Sequence, residues 1–407
     1  MNEHWRQSTW GDEISLEYGK AIRGYQDAPG PFKVFGSNGP IGRSEKALVQ
    51  GPGVILGRKG AYRGVHFSSD PFFVIDTAYY VKPKTDLDMR WLFYAIIYHK
   101  LGEIDDGSPI PSTTRAAVYI QDVAIPPLDE QREIAAVLEL LDDKIELNLR
   151  TAATLEEMAR ALYRSWFVDF DPVHANAAGL APAHMDTPTA AIFPNCFGDD
   201  GLPAGWATGS LKDVTISIRN GGTPKRDTPD YWTGGTIPWL TSGEVRQSLI
   251  CSTKNYISEA GLSGSSAKWV EAGAILVALY GATAGQVSRT AIRLTTNQAI
   301  CAISAEADFQ NYIYFVLKEQ VESLADKAIG SAQQNISKKI VEDLEVLLPP
   351  RKLALKFQDI TAPIFLRIEN CWYENESLTS LRDTLLPLLM SGELPVGDAR
   401  AQVEDAL

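Results

Sequence analysis

The sequence predicts an α+β fold in which two similar, mainly β domains are joined by two long antiparallel helices. Three observations predict it. Short apolar segments bounded by Gly, Pro, Asn and Ser fill residues 1–127 and 205–350. Apolar residues with a period of 3.5 fill residues 128–170 and 351–391, as in a coiled coil. The second half of the chain also repeats the first, which predicts an internal pseudo-two-fold repeat.

The first domain, residues 1–127, is predicted to consist mainly of strands. Its apolar segments between turn-forming residues are Phe32 to Phe35, Gly53 to Leu56, Phe72 to Ile75 and Ala78 to Val81. One helix, at residues 88–101, interrupts them. Pro126 and Pro127 cannot donate to a strand ladder. The last strand is therefore expected to end there and the next helix to begin, with Asp129 as its cap.

The central stretch, residues 128–170, is predicted to be one long amphipathic helix. Its period of 3.5 continues for more than four heptads and requires a helical partner, which residues 351–391 supply with the same spacing. The predicted seam of the helix pair comprises Ile134, Leu138, Leu141, Ile145, Leu155, Leu162, Phe357, Ile364, Ile368, Leu378 and Leu385. Asn148 and Asn375 are its polar members. An ordinary core helix pair is the alternative, but globular helices average only about three turns.

The remaining boundaries follow from composition and from the repeat. Residues 171–204 contain few large apolar side chains and are interpreted as a linker, and residues 392–407 as a tail. The offset in residue number between corresponding positions of the two halves is constant in the long helices and changes inside the globular domains. Most of the drift falls between Lys20 and Gly53, where the second copy is expected to hold the longer run 221–239.

Composition indicates an ordinary globular protein of two or three domains, given 407 residues. The four cysteines form no CxxC motif, which argues against a zinc site or a disulfide framework. No apolar run approaches the roughly 20 residues of a membrane span, and the N-terminus does not have the pattern of a signal peptide. We therefore expect a cytoplasmic protein.

The charge is unevenly distributed. A net charge of -13 counts, by itself, against a nucleic-acid partner. Residues 14–63, however, carry eight basic and three acidic side chains, whereas residues 129–171 carry eleven acidic and five basic ones. This pattern favours a protein that meets both an anionic ligand and other proteins.

The sequence lacks the common catalytic motifs. It contains no phosphate-binding GxxxxGK[ST] loop, no GxGxxG motif that opens a helix and no GxSxG elbow. Pro229 and Asp230, followed by Glu244, loosely resemble a nuclease metal site, but the required lysine is missing. We interpret these residues as a turn and a surface strand.

A DNA-binding surface is better supported. Duplex DNA is contacted by Lys and Arg at phosphates and by Arg, Lys, Asn and Gln at base edges. Glycine-rich loops at corresponding positions of the two halves carry such residues. The candidates are Lys33, Asn38, Arg43, Arg58, Lys59, Tyr62, Arg63, Lys225, Arg226, Tyr280, Ser331, Gln333 and Gln334. Solvated surface charge is the alternative interpretation for each cation, but clustering at matching positions favours binding.

Three further stretches carry a family resemblance: LYRSWFVDFDPV at 162–173, LPAGW at 202–206 and LRDTLLPLLMSGEL at 381–394. Together with the duplicated scaffold, they resemble the specificity subunit of a Type I restriction-modification system over nearly the whole chain. The resemblance implies two target-recognition domains, each reading one half of a split double-stranded DNA target. It also implies that the helix pair sets the unread spacer and that the chain is not itself catalytic.

The resemblance further implies partners. Two methyltransferase subunits that use S-adenosylmethionine would dock on the helix pair. We assign the acidic helices and their ends, with Trp166 and Phe167, to the helix pair and the methyltransferase contacts. Two ATP- and Mg-dependent restriction subunits could join them. No cofactor or metal is expected in this chain. The segment Gly107 to Ser112 differs from its counterpart at residues 330–335, which predicts unlike half-sites.

Three alternatives stay open at this point. An autonomous nuclease or methyltransferase would show activity as a purified single chain. A scaffold would join proteins without reading DNA, although the cationic loops argue against it. A silent specificity cassette would belong to the same family without being expressed.

Overall fold

The fold is described from a computed structural model. The described residues are 4–105, 107, 110–320 and 336–407. The chain divides into two compact units. The first unit comprises Met1–Leu147 with Asn375–Leu407, and the second comprises Asn148–Glu374. Each unit contains one globular domain and a portion of both long helices.

The globular domain of the first unit is mainly β. Its strands are β1 (Arg6–Thr9), β2 (Ile14–Tyr18), β3 (Phe32–Gly36), β4 (Gly39–Ser44), β5 (Gly53–Gly57), β6 (Val65–Ser68), β7 (Phe72–Val74), β8 (Ala78–Pro83) and β9 (Asp122–Ile125). A four-stranded sheet has the order β2-β8-β5-β6 and a three-stranded sheet the order β4-β3-β7, while β1 pairs with β9. The four strands predicted from apolar segments are confirmed.

One ten-residue helix, Met89–Tyr98, attaches this domain to the first unit's core. It begins after Asp88, whose side chain accepts hydrogen bonds from the backbone N–H groups of Arg90 and Trp91. Trp91 is fully buried. The prediction of a helix here is confirmed, although the helix ends three residues earlier than expected. Short helical segments lie at Trp10–Glu13, Leu101–Glu103 and Arg115–Tyr119.

The domain of the second unit contains eleven strands among its described residues. They are β10 (Ala207–Ser210), β11 (Thr215–Asn220), β12 (Ile237–Leu240), β13 (Leu249–Ile250), β14 (Asn255–Ile257), β15 (Trp269–Val270), β16 (Ile275–Ala278), β17 (Val287–Thr290), β18 (Leu294–Thr296), β19 (Ile300–Ala305) and β20 (Glu345–Leu348). The sheets have the orders β11-β19-β16-β17-β13 and β14-β12-β18-β15, and β10 pairs with β20. The helix Gln310–Glu319 corresponds to Met89–Tyr98.

The strand orders reveal the duplication. The order β2-β8-β5-β6 recurs as β11-β19-β16-β17, and β4-β3-β7 recurs as β14-β12-β18. The pairs β3–β7 and β12–β18 are both parallel. Strands β13 and β15 have no counterpart among the described strands of the first domain. The extra length of the second copy therefore lies mainly after β12, and the expectation that residues 221–239 hold it is wrong.

Two helices dominate the rest of the chain. The central helix is Leu128–Phe167, and the distal helix is Arg351–Ser391. Every residue of the predicted seam is buried or half-buried. The central helix ends three residues before residue 170. Asp129 is not its cap, because the helix already begins at Leu128 and Gln131 N donates to Pro127 O.

The two long helices pack antiparallel within each unit. In the first unit, Asn375 Nδ2 donates to Ile145 O at 3.3 Å, and Arg382 pairs with the earlier residue Asp142 at 2.9 Å. In the second unit, Asn148 Nδ2 donates to Glu374 Oε2 at 3.0 Å. Residues later in one helix thus meet residues earlier in the other, as predicted.

The supposed linker and tail contain packed helices. Residues 171–204 hold the helices Asp171–Ala177 and Thr187–Ala190. Val173 is fully buried in the second unit's core. The last helix, Val396–Ala406, buries Val403 in the first unit's core. The sequence did not predict these contacts because both segments contain few large apolar residues. Among the described residues, no helix is long and apolar enough to cross a membrane.

Candidate nucleic-acid interface

Four loops of the first domain meet at the ends of its strands. We call residues 37–38, 58–64, 76–77 and 111–113 the first loop cluster. Backbone hydrogen bonds join them: Gly64 N donates to Ser37 O at 2.8 Å, and Gly60 N donates to Pro111 O at 3.0 Å. Ser37 Oγ donates to Thr77 O at 2.6 Å. Several of the candidate DNA-binding residues are therefore brought together by the fold.

Arg63 lies inside this cluster rather than on its surface. Its Nε donates to Gly102 O at 2.9 Å and to Thr113 Oγ1 at 3.1 Å. Its Nη1 donates to Gly60 O at 2.9 Å. The guanidinium is thus largely occupied by the protein's own acceptors, so its immediate effect is to hold loops 58–64 and 111–113 together.

Arg58 is also partly engaged. Its Nε and Nη2 donate to Asp76 O at 3.1 and 2.8 Å. Its guanidinium lies 5.2 Å from the ring centre of Tyr18 and 5.9 Å from that of Tyr79. These contacts fix the strand end from which the exposed residue Lys59 projects.

The exposed members of the cluster are Asn38, Lys59, Ala61, Tyr62 and Asp76. Tyr62 is 78% exposed, which is unusual for a large aromatic side chain in a loop that is otherwise tightly bonded. Asn38, Tyr62 and Arg63 line one surface depression. The carboxylate of Glu103 lines it as well. The amide of Asn38 and the ring of Tyr62 are thus exposed in the same cluster as the cation Lys59, and such groups can contact base edges and phosphates.

Lys33 and Arg43 form a separate cationic pair on the β3–β4 hairpin. They lie directly opposite each other in the antiparallel register, and both are exposed. Arg43 Nη1 donates to Pro31 O at 3.2 Å. The hairpin turn that follows β3 carries Asn38, so the strand pair supports both features.

The second domain has an equivalent arrangement. We call residues 223, 242–243, 280–283 and 297–298 the second loop cluster. Thr283 Oγ1 donates to Ser242 O at 2.9 Å, and Thr223 Oγ1 donates to the side-chain oxygen of Gln298. Tyr280 is 37% exposed in this cluster. The exposed Gln298 was missed by sequence reasoning, although it follows β18 by two residues, as Asp76 follows β7.

The remaining candidates of the second domain divide into two groups. Lys225 and Arg226 are both exposed, and the Arg226 guanidinium lies 4.2 Å from the ring centre of Trp232. Ser331, Gln333 and Gln334 lie outside the described residues.

The resemblance to a nuclease metal site has a structural explanation. Glu244 Oε1 accepts hydrogen bonds from the backbone N–H and the hydroxyl of Thr241, at 3.0 and 2.8 Å. Its Oε2 accepts from Lys254 N at 3.0 Å. The carboxylate therefore caps a short helical turn. Among the described residues, no group of three or more His, Cys, Asp or Glu side chains could hold a metal ion.

Trp166 and Phe167, expected among partner contacts, are core residues. They are 3% and 4% exposed. Their rings lie 6.0 and 5.2 Å from the ring of Phe357 in the second unit. Both side chains therefore lie in the helix pair, as expected, since Phe357 belongs to the distal helix. Their assignment to the methyltransferase contacts is wrong, because the aromatic cluster of the second unit surrounds them.

Comparison with known proteins agrees with this architecture. Residues 12–157 and 203–371 match the family model described as the Type I restriction modification DNA specificity domain. The Type I restriction enzyme HindI specificity subunit of Haemophilus influenzae is 29% identical over 409 residues, which cover 87% of this chain and 88% of that subunit. The MjaIX specificity subunit of Methanocaldococcus jannaschii is 23% identical over 402 residues, covering 95% and 88%.

A solved structure shares the fold. The crystal structure of the Type I restriction-modification S subunit from M. genitalium superimposes with a TM-score of 0.58 at 15% sequence identity, covering 96% of this chain and 97% of that one. The resemblance predicted from the sequence is confirmed. Since the matched regions span more than half of its length, this chain belongs to the family of Type I restriction-modification specificity subunits.

Proposed function

We propose that this chain selects DNA for a Type I restriction-modification complex by reading a split, asymmetric target. As a specificity subunit it is not itself catalytic. Each globular domain reads one half-site, and the helix pair sets the unread spacer between the half-sites. Adenine methylation, with S-adenosylmethionine, is supplied by two methyltransferase subunits, and restriction by two further ATP- and Mg-dependent subunits.

The observation that carries this proposal is the duplicated scaffold with unlike loops. The two domains share one strand order, and each gathers its loops at the corresponding strand ends. The side chains on those loops differ: Asn38, Lys59 and Tyr62 in the first cluster, Tyr280 and Gln298 in the second. A common support with different polar surfaces is expected where two different base sequences are read.

The contacts that we assign follow from exposure. Lys33, Arg43 and Lys59 would contact phosphates, because their charges face solvent. Asn38 and Tyr62 would lie against base edges. Arg58 and Arg63 would position these side chains, since protein acceptors already engage both guanidinium groups. For Ser331, Gln333 and Gln334, DNA contact remains a prediction.

We assign the methyltransferase contacts to exposed apolar stripes on the long helices. Leu140 and Leu147 of the first unit are 45% and 58% exposed and lie seven residues apart, which places them on one helix face. Leu355 and Leu366 of the second unit are 42% and 59% exposed and lie eleven residues apart, again on one face. One stripe in each unit fits one methyltransferase subunit per unit.

The first test is adenine-methylation mapping in cells that express this chain with its cognate methyltransferase, compared with cells that lack the chain. A new split motif with two unlike halves is expected. If expression is verified and no new motif arises, the chain does not read DNA in this way, and the scaffold interpretation gains support.

Partner docking has a separate test. Leu147→Glu and Leu366→Glu should each reduce the methyltransferase captured with the tagged chain, and the double variant should capture little. Glu146→Gln is the control, since it changes a charge next to Leu147 without adding one to the apolar stripe. Full capture by the double variant would contradict the assignment of the stripes.

A further inference from the structure

Arg226 of the second domain is held against two tryptophans. Its guanidinium lies 4.2 Å from the ring centre of Trp232 and 4.9 Å from that of Trp239, and the two indoles meet edge to face at 5.1 Å. Within the described part of the chain, no hydrogen bond or ion pair engages this guanidinium. The planar group is therefore stabilised on its face, while its hydrogen-bond donors remain available.

The backbone that carries Arg226 is fixed as well. Trp232 Nε1 donates to Lys225 O at 3.0 Å, and Trp239 Nε1 donates to Gly222 O at 2.9 Å. Between these two points, Thr223 donates to the side chain of Gln298. Hydrogen bonds thus hold this segment at Gly222, Thr223 and Lys225. Little conformational entropy is left to lose when Arg226 meets a ligand.

The surroundings of Arg226 suit an anionic partner. The residues lining the adjacent open cleft include Lys254, Asn255 and Tyr256, and none of the described lining residues is a carboxylate. Lys254 is exposed, and Tyr256 is 43% exposed. A stacked arginine, an exposed lysine and an exposed aromatic ring thus lie around one cleft.

We propose that Arg226 reads a guanine in the half-site recognised by the second domain, with Trp232 as its positioning residue and Lys254 on a neighbouring phosphate. The inference rests on the proposed function. Arginine donates two parallel hydrogen bonds to guanine O6 and N7, which no other base presents together in the major groove. A stacked guanidinium offers the required planar edge, whereas a lysine ammonium does not.

A second arginine of the same domain supplies a matched control. Arg293 lies 4.2 Å from the ring centre of Trp269, the same distance as between Arg226 and Trp232. Its Nε, however, pairs with Glu271 Oε1 at 3.0 Å. Arg293 therefore shares the stacking but not the free donor edge.

The experiment maps adenine methylation in cells that express the cognate methyltransferase with either the wild-type chain or one variant. With Arg226→Ala, one guanine position in one half of the motif should become degenerate, with a loss of discrimination of about 5- to 150-fold. The other half should stay unchanged. Arg226→Lys should relax the same position, because lysine lacks the bidentate fork. Arg293→Ala should keep the wild-type motif.

Trp232 is tested through its effect on the same position. Trp232→Ala should relax the guanine position, and Trp232→Phe should restore part of the discrimination because a ring is retained. A purely structural role would instead lower methylation at every target without relaxing any position.

The outcomes separate the two hypotheses. If the wild-type chain directs no split motif, the proposed function fails. A wild-type split motif that Arg226→Ala leaves unchanged overturns only the guanine assignment, and so does a motif with no G·C pair in either half. Uniform loss of methylation without relaxation, which a phosphate contact or a structural role would produce, also overturns the guanine assignment. Copurification with the methyltransferase shows whether a variant still assembles. If Arg226→Ala does not assemble, the motif directed by Arg226→Lys tests the guanine assignment instead.

Discussion

The hydroxyl of Tyr94 donates a 2.6 Å hydrogen bond to Asp142 Oδ2 and thereby ties the first globular domain to the central helix. The second unit repeats the arrangement, since Tyr314 donates to Glu156 Oε1 at 2.6 Å. In both cases a buried tyrosine of a ten-residue helix meets a carboxylate of the central helix. Each domain is therefore held in a defined orientation on the portion of helix that belongs to its own unit.

Tyr94→Phe should lower the free energy of unfolding of the first unit by about 1.5 to 3 kcal/mol, the usual value for a hydrogen bond to a charged group. Burial, followed by the nearby Asp142 charge, raises the pKa of Tyr94 well above its ordinary value, so the hydroxyl stays a donor at neutral pH. Denaturant unfolding measures the loss. Tyr62→Phe is the control, because Tyr62 is 78% exposed and should be neutral. Equal stabilities for Tyr94→Phe and the wild-type chain would exclude the bond as a stabilising contact.

Glu13 should make the first unit sensitive to acid. Its carboxylate is 1% exposed and pairs with Arg6 at 2.6 Å. The hydrogen bond from Arg6, assisted by those from Ser8 and Thr85 and opposed by burial, lowers the pKa of Glu13 from 4.5 to about 2. A carboxyl whose pKa falls on folding stabilises the protein fully above its unfolded pKa. This contribution, of the order of 3 kcal/mol, should disappear as the pH drops from 4.5 towards 2.

Glu13→Gln checks this prediction. Unfolding measured at a series of pH values should show a flatter acid limb for the variant than for the wild-type chain, and Arg6→Met should flatten it similarly. Should the wild-type and Glu13→Gln curves run parallel below pH 4.5, Glu13 is not the group responsible.

Arg63 and Lys59 should differ in how they affect DNA binding. Arg63→Ala should speed hydrogen exchange of the Gly60 and Gly64 amides, because the hydrogen bonds of Arg63 hold their loop, and should lower target affinity indirectly. Lys59→Ala should leave exchange unchanged. It should reduce the slope of log Kd against log salt by about 1, as expected for a phosphate contact. Unchanged exchange in Arg63→Ala would remove the positioning role.

The helix seam offers a pair of adjacent leucines for a stability test. Leu141 is fully buried in the first unit's core, whereas Leu140 is 45% exposed. Leu141→Ala should cost about 2 to 5 kcal/mol of unfolding free energy, through lost burial and a cavity. Leu140→Ala should change it by less than about 0.5 kcal/mol. Thermal unfolding of the two variants decides whether the period-3.5 pattern marks the stabilising face.

Features that repeat along the chain could be predicted from the sequence. The seam from Ile134 to Leu162 is regular because a helix presents every third or fourth residue to the same neighbour, so periodicity reports burial directly. The doublets Pro126–Pro127 and Pro349–Pro350 precede both long helices because proline ends the preceding strand. The duplication, the helix pair and the family could therefore be predicted from the sequence alone.

Only the tertiary structure decided what individual side chains do. Arg58, Arg63 and Arg226 look alike as loop cations, yet the first two donate to carbonyl oxygens brought from distant loops and the third lies on tryptophans. Trp166 and Phe167 end the central helix, but only the tertiary structure places Phe357 of the distal helix against both rings. The partners of these groups come from remote parts of the chain, and no local spacing encodes which acceptor or ring a flexible side chain will reach.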